Sequence, residues 1–310
     1  MKLKKPKFWD LKKPNLLAVC LLPLSILFEL FSALRIKSYQ EFPNIKKICI
    51  GNIYLGGTGK TSLALKVHKL LKQRKIKSCF IKKFYTNQED EQKILSKHGE
   101  LFSAENRLNA LQKAITKKYK FAIFDDGLQD KNIKYDVNFV CFNNINWIGN
   151  GLMIPAGPLR ENIKELKKYK NVVINGNLEN ISNLKKKLKK INKNIIIHVG
   201  KYMPIGIDKF DLNEKYLAFS GIGNHKTFIS MLKENNFKVI KDLEFPDHYH
   251  YHESDIEKIL KMSNELNCKL ITTEKDIQRI KNKNKINYIR TELNILNEKK
   301  LLNAIFEINE

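Results

Sequence analysis

Ile45–Ile50 reads IKKICI, Gly51–Thr61 reads GNIYLGGTGKT, and Ser62–Lys75 reads SLALKVHKLLKQRK. The first is a β-rich apolar run, the second a glycine-rich turn, and the third repeats its apolar residues at helical spacing. Strand, glycine loop and helix in that order make a phosphate-binding loop. Backbone N–H groups and the helix N-terminus surround a phosphate, a lysine reaches the outer phosphates, and a Ser or Thr hydroxyl can bind Mg²⁺. Tyr54, Leu55, Gly56, Gly57, Thr58, Gly59, Lys60 and Thr61 are therefore the candidate nucleotide-binding residues, and ATP with Mg²⁺ is the expected ligand. The loop departs from G-x-x-x-x-G-K-[ST] at its first position, where Tyr54 replaces glycine. A turn that merely joins a strand to a helix is the competing reading, but it gives Gly-Lys-Thr at a helix start no use.

Downstream, SCFIKKF (Ser78–Phe84) reads as a second strand, and Glu91–Ala114 is expected to hold a helix. FAIF (Phe121–Phe124) reads as the third strand and delivers Asp125-Asp126-Gly127 at its C-terminal end. An Asp placed there, beside the glycine loop, is how such folds hold the metal of a nucleotide, so Thr61, Asp125 and Asp126 are the candidate metal ligands. From about Lys215 the alternation restarts, with strands YLAFSGI, KVIKDLEF, KLITTEK and INYIRTEL separated by helical stretches. Alternating strands and helices predict a second sheet of parallel type. The expected division is 1–38 for a basic flank and apolar helix, 39–210 for the nucleotide domain, and 211–310 for a second α/β domain.

The 310 residues are enough for two modest cores. A net charge of +25 favours anionic partners, but lysine is spread along the whole chain and no element interleaves basic with aromatic residues, so nucleic acid is not an expected partner. The lysine-rich stretch Asn175–Asn194 reads as a solvated helix face, with contact to acidic lipid as the alternative. Five cysteines form no CxxC pair, which fits a reducing compartment. Nothing in the sequence sets an oligomeric state.

Asn15–Leu34 (NLLAVCLLPLSILFELFSAL) carries one charge, Glu29, and one proline, Pro23. It follows Lys2, Lys4, Lys5, Lys7, Lys12 and Lys13, with Trp9 placed for a membrane interface. A cleaved signal peptide lacks a small-residue cleavage site here. Glu29 and Pro23 argue against a lone span, and the basic approach argues for lipid contact, with a soluble core helix as the rival. Association with the cytoplasmic membrane, the site facing the cytoplasm, is the expectation.

Five segments together resemble the tetraacyldisaccharide 4'-kinase family: GN with GGTGKT (Gly51–Thr61), DDGLQ (Asp125–Gln129), GNGLMIPAGPLRE (Gly149–Glu161), FSGIGN with FPDH (Phe219–Asn224, Phe245–His248), and TTEKD (Thr272–Asp276). The resemblance implies two α/β/α domains, the first like P-loop NTPases with a parallel sheet, preceded by an N-terminal membrane-associated apolar helix. It also implies a cleft between the domains where the ATP γ-phosphate passes to the 4'-hydroxyl of the acylated disaccharide 1-phosphate precursor of lipid A. By the same resemblance Asp90, in Glu89-Asp90-Glu91, is the candidate base, His248 of FPDH its partner, and Lys60 acts on the transferred phosphate. Arg107, Gln129, Arg160 and Glu161 become candidate substrate contacts, though a surface ion pair is the ordinary reading of Arg160 and Glu161. His248, His250 and His252 alternate in DHYHYH, a spacing that would share one strand face and mimic a metal site, with Asp247 the only other ligand nearby. One departure stands out: where the family carries Ser-Arg-Gly-Tyr-Gly, this chain has Lys82-Lys83-Phe84-Tyr85-Thr86, and Lys83 can supply the charge of the arginine but not its fork. The rival of a different class is a membrane-associated nucleotide switch or partitioning ATPase without a lipid acceptor.

Overall fold

In the computed structural model, described for residues 5–34, 40–84 and 89–307, the chain builds one mostly parallel α/β sheet. Its strands are β1 (Lys46–Gly51), β2 (Ser78–Lys83), β3 (Leu101–Ala104), β4 (Phe121–Asp125), β5 (Val137–Asn143), β6 (Asn171–Gly176), β7 (Ile196–Ile205), β8 (Lys215–Ser220), β9 (Lys238–Glu244), β10 (Lys269–Thr273) and β11 (Ile286–Ile295). Among the described residues the 11 strands run in the order β3-β2-β4-β1-β5-β6-β7-β11-β10-β8-β9. Neighbours are parallel except β7 and β11, which pair antiparallel from Gly200↔Ile295 to Ile205↔Arg290. That one antiparallel seam joins the two halves into a continuous sheet.

Strands covered on both faces need side chains that are apolar on both, and β1 shows how the alternation is used. Ile48 and Ile50 face one layer, where helix α3 (Lys60–Gln73) covers them with Leu63, Ala64, Val67, Leu70 and Leu71. Cys49 faces the opposite layer and packs with Val140 and Phe142. Burial pushes the thiols of Cys79 and Cys141 up to about 12, so these cysteines act as small apolar residues. The second half repeats the sandwich: α7 (His225–Glu234) covers Tyr216 and Ala218, while α8 (Glu253–Glu265) covers Leu217 and Phe219.

Three expectations are redrawn. The stretch Glu91–Ala114 is two helices, α4 (Glu89–His98) and α5 (Arg107–Thr116), with β3 between them. LFSA pairs beside β2 once α4 ends near Gly99. Asn175–Asn194 spans the end of β6 and the helix α6 (Ile181–Ile191), which buries Leu184 and Leu188 and turns its lysines outward. The C-terminal helix α10 (Glu298–Phe306), grouped by sequence with the second half, packs Leu301, Leu302 and Ile305 into the first half's core. The chain therefore crosses the seam and returns.

The N-terminal apolar stretch is two helices, α1 (Leu16–Cys20) and α2 (Leu22–Leu34), separated at Leu21, with Pro23 in the first turn of α2. No helix among the described residues is long and apolar enough to cross a membrane. Trp9, expected at a lipid interface, is buried instead: its indole N–H donates to Pro155 O at 3.0 Å, and its carbonyl accepts from Asn150 N–H at 2.9 Å. Ser25 fastens α2 to the same loop, donating to Met153 O at 2.9 Å and accepting from Ala156 N–H at 3.0 Å. Leu16, Leu17, Leu24, Ile26, Leu30 and Phe31 remain exposed. Lys2, Lys4, Tyr85 and Thr86 lie outside the described residues.

Candidate active site

The glycine loop emerges from β1 and ends in α3, whose first residue is Lys60. Gly59 caps the helix at φ +77°, a conformation costly for any other residue, and a Cβ there would lie 2.2 Å from the Tyr202 hydroxyl. Asn52 holds the loop from beneath, donating to Tyr54 O at 2.5 Å and to Thr58 Oγ1 at 2.8 Å, and Asn175 Nδ2 donates to Thr58 O at 2.7 Å. Tyr54 has no positive φ, so its position does not require glycine. Its ring packs with Met153 and Leu159, and its hydroxyl donates to Asp10 Oδ1 at 2.7 Å. The departure from the usual loop pattern thus links the glycine loop to the N-terminal segment.

β4 ends beside this loop. The Thr61 hydroxyl donates to Asp125 Oδ2 at 3.2 Å, and the same oxygen accepts from the buried Lys82 ammonium at 2.7 Å. Among the described residues Asp125 Oδ1 is buried without a hydrogen-bond partner. Asp126 is engaged differently: Arg160 Nη1 lies 2.9 Å and Lys60 Nζ 3.7 Å from its Oδ1. Burial opposes its charge, but Lys60 and Arg160 hold its carboxyl down to about 2. Arg107 braces this turn by donating to Asp126 O, and it pairs with Asp130 at 3.2 Å. Gln129 donates to Asn52 O at 2.9 Å and to Glu161 Oε1 at 2.8 Å, while Arg160 reaches Gln129 Oε1 at 3.3 Å. Arg107, Gln129, Arg160 and Glu161 therefore form one network behind Asp126, and burial pushes the Glu161 carboxyl up.

A cleft of about 2110 Å³ is lined by both halves, with Glu91 of α4 and His248 among its walls, and Asp90 of the same helix is buried beside them. Asp90 Oδ1 stands 3.2 Å from His248 Nδ1, although the two residues are 158 apart in sequence. Burial opposes the Asp90 charge, yet the hydrogen bond from His248 and the Arg279 guanidinium hold its carboxyl well below the usual carboxylate range. Glu91 lies between Lys82 Nζ at 2.7 Å and Lys275 Nζ at 3.0 Å. Burial works against it too, but Lys275 and Lys82 keep it ionised. His248 has φ +56° and sits in a turn after β9, not in a strand, so the expected alternation fails. His252 caps α8, and no group of three His, Cys, Asp or Glu capable of holding a metal occurs among the described residues.

The two halves touch at the glycine loop itself: a Cβ on Gly57 would lie 2.8 Å from Gly223 C, and one on Gly223 would lie 2.4 Å from Gly57 N. Sequence reading did not single out Asn52, Glu91, Lys275 or Arg279 as site residues. Asn52 and Glu91 lie inside quoted motifs, and Lys275 is the lysine of TTEKD. Arg279 carried no signal except its place three residues after Asp276.

A family model described as "LpxK: Tetraacyldisaccharide-1-P 4'-kinase" matches residues 17–309. A tetraacyldisaccharide 4'-kinase of Pelagibacter ubique is 55% identical over 314 residues, covering 100% of this chain and 99% of the relative. One of Rickettsia canadensis is 32% identical, covering 99% of this chain and 98% of its own. The fold is similar to a crystal structure of LpxK from Aquifex aeolicus in complex with ATP, with a TM-score of 0.69 and 23% identity over 94% of this chain and 99% of that one. Motifs in order, matching length and matching fold agree: the chain belongs to the tetraacyldisaccharide-1-P 4'-kinase family and is an enzyme of that kinase class.

Proposed function

We propose that this protein transfers the γ-phosphate of ATP to the 4'-hydroxyl of the tetraacyldisaccharide 1-phosphate precursor of lipid A. The observation that carries the reading is the pairing of Asp90 with His248, which lines the same cleft as Lys60 and Thr61. A nucleotide switch needs the loop but has no use for an ionised carboxylate paired with histidine where an acceptor would stand.

Phosphoryl transfer rests on positioning and charge neutralisation. The backbone amides from Gly56 to Lys60 and the N-terminus of α3 surround the phosphates, and Lys60 neutralises the outer ones. Mg²⁺, when bound, would supply positive charge against the charge that develops on the phosphates. Thr61 and Asp125 fit it, because Asp125 keeps a buried oxygen free beside the Thr61 hydroxyl, whereas Asp126 is taken up by Lys60 and Arg160. Asp90 accepts the proton of the acceptor hydroxyl, and His248 holds that carboxylate ionised and oriented. The halves act as lobes, the first P-loop-like, that close over the acceptor.

The same reading places the enzyme at the cytoplasmic membrane with the cleft toward the cytoplasm. An acylated disaccharide must be met at a bilayer surface, and the exposed apolar residues of α1 and α2, beside Lys12 and Lys13, suit interfacial insertion. Purified protein given labelled ATP, Mg²⁺ and a detergent-solubilised acylated glucosamine disaccharide 1-phosphate is expected to label the lipid. ATP hydrolysis without labelled lipid would favour the switch.

A further inference from the structure

Arg279 follows the short helix α9 (Glu274–Ile277) after β10, its side chain is 5% exposed, and its guanidinium joins the two lobes. Nη1 donates to Gly221 O at 2.7 Å and lies 3.3 Å from Asp276 Oδ1. Nη2 donates to Asp90 Oδ2 and lies 3.4 Å from His248 Nδ1. Asp276 is itself fixed, accepting from Gly221 N–H at 2.8 Å, the Tyr251 hydroxyl at 2.9 Å and the Thr273 hydroxyl at 2.6 Å. The His248 backbone N–H donates to the same Gly221 carbonyl at 3.0 Å. One carbonyl thus anchors both groups that grip Asp90, His248 on Oδ1 and Arg279 on Oδ2.

We infer that Arg279 is the positioning residue of the reaction, fixing one oxygen of Asp90 so that the other stays aligned with His248 and open to the acceptor proton. A planar fork suits this task, since it can hold a scaffold carbonyl and a carboxylate at once, which an ammonium cannot do with the same geometry. Arg279 is not among the residues that line the cleft, and its effect passes through Asp90. The charged and titratable groups around Asp90 are His248 and Asp247 on the turn after β9, Lys275, Asp276 and Arg279 after β10, and Glu89 and Glu91 on α4. With Arg279 removed, His248 is the side chain that stays within hydrogen-bond distance of the Asp90 carboxylate.

The inference rests on the kinase reading, so the unaltered full-length chain is assayed first with ATP and the acylated disaccharide 1-phosphate. R279M is expected to lower kcat about 10²-fold, the scale of a misplaced reacting group, while leaving the ATP Kd within about threefold. The acid limb of kcat against pH should move up, because a carboxylate that loses an adjacent cation takes its proton at higher pH. R279K should recover part of kcat, and added ethylguanidinium should restore activity to R279A. An inactive unaltered chain overturns the kinase reading and this inference with it. An active chain whose R279M keeps its kcat and acid limb overturns this inference alone, as does R279M that loses ATP binding in step with turnover and is not rescued by R279K or ethylguanidinium, since that is the signature of a merely structural arginine.

Discussion

The nucleotide loop and the Asp90 cluster face each other across one cleft but are built in opposite ways. Lys60 and Thr61 are positioned by the strand, turn and helix in which they occur, so a short segment carries nearly the whole arrangement. Asp90 belongs to the first turn of α4, where helix N-terminal electrostatics alone would suit any carboxylate. Its partners His248 and Arg279 arrive from the other half of the chain. The first region is local chemistry held by backbone geometry; the second exists only when the lobes meet.

Substitutions should separate the two regions. The largest effect is expected for Asp90→Asn, which should cut kcat by about 10³-fold with little change in ATP Kd, as for loss of a general base. Lys60→Ala should instead weaken ATP binding as well as turnover, and isothermal titration beside steady-state kinetics distinguishes the patterns. If both variants lose ATP affinity equally, the division between the regions fails. Gly57→Ala tests the contact between them. Its new Cβ would meet the backbone of Gly223 at 2.8 Å, and the lobes must part to admit it. We expect about a tenfold loss of kcat with thermal stability nearly intact, since a small misplacement suffices.

Stability should report the seam rather than the chemistry. Leu301→Ala, in the C-terminal helix, is expected to cost about 2 to 5 kcal/mol in denaturant unfolding, because Leu301 is fully buried in the first lobe's core. A smaller effect belongs to Asp126. Its folded pKa, about 2, lies below its unfolded value of about 3.9, so its contribution is present above the unfolded value and is lost as pH falls toward 2. Asp126→Asn should remove about 2 kcal/mol of pH-dependent stability from that window, read from unfolding midpoints between about pH 4.5 and 2.

Much of this molecule is legible in short stretches of its sequence. The glycine loop, the strand ending in Asp125, and the restart of alternation near Lys215 are short-range patterns, and the fold builds strands and helices there. β3 is absorbed into a helix on a sequence reading because LFSA is too short to show a period of its own. DHYHYH suggests a strand from its alternation, yet the segment turns at His248, whose N–H donates to Gly221 O, and caps α8 at His252. Trp9 reads as an interfacial aromatic by composition, but Pro155 and Asn150 give its polar groups buried partners.

The sequence alone determined the phosphate-binding loop, because that loop is written in a contiguous motif whose local geometry follows from residue type and spacing, and the resemblance of its motifs to the family named Asp90 and His248 as a candidate pair. Tertiary structure alone decided that Asp125 keeps an oxygen without a partner among the described residues while Asp126 is engaged, that β11 and α10 return to the first lobe, and that Arg279 grips Asp90. Those outcomes depend on desolvated charges finding partners far away in the chain, and a buried guanidinium or carboxylate is set by whatever the fold brings within hydrogen-bond reach.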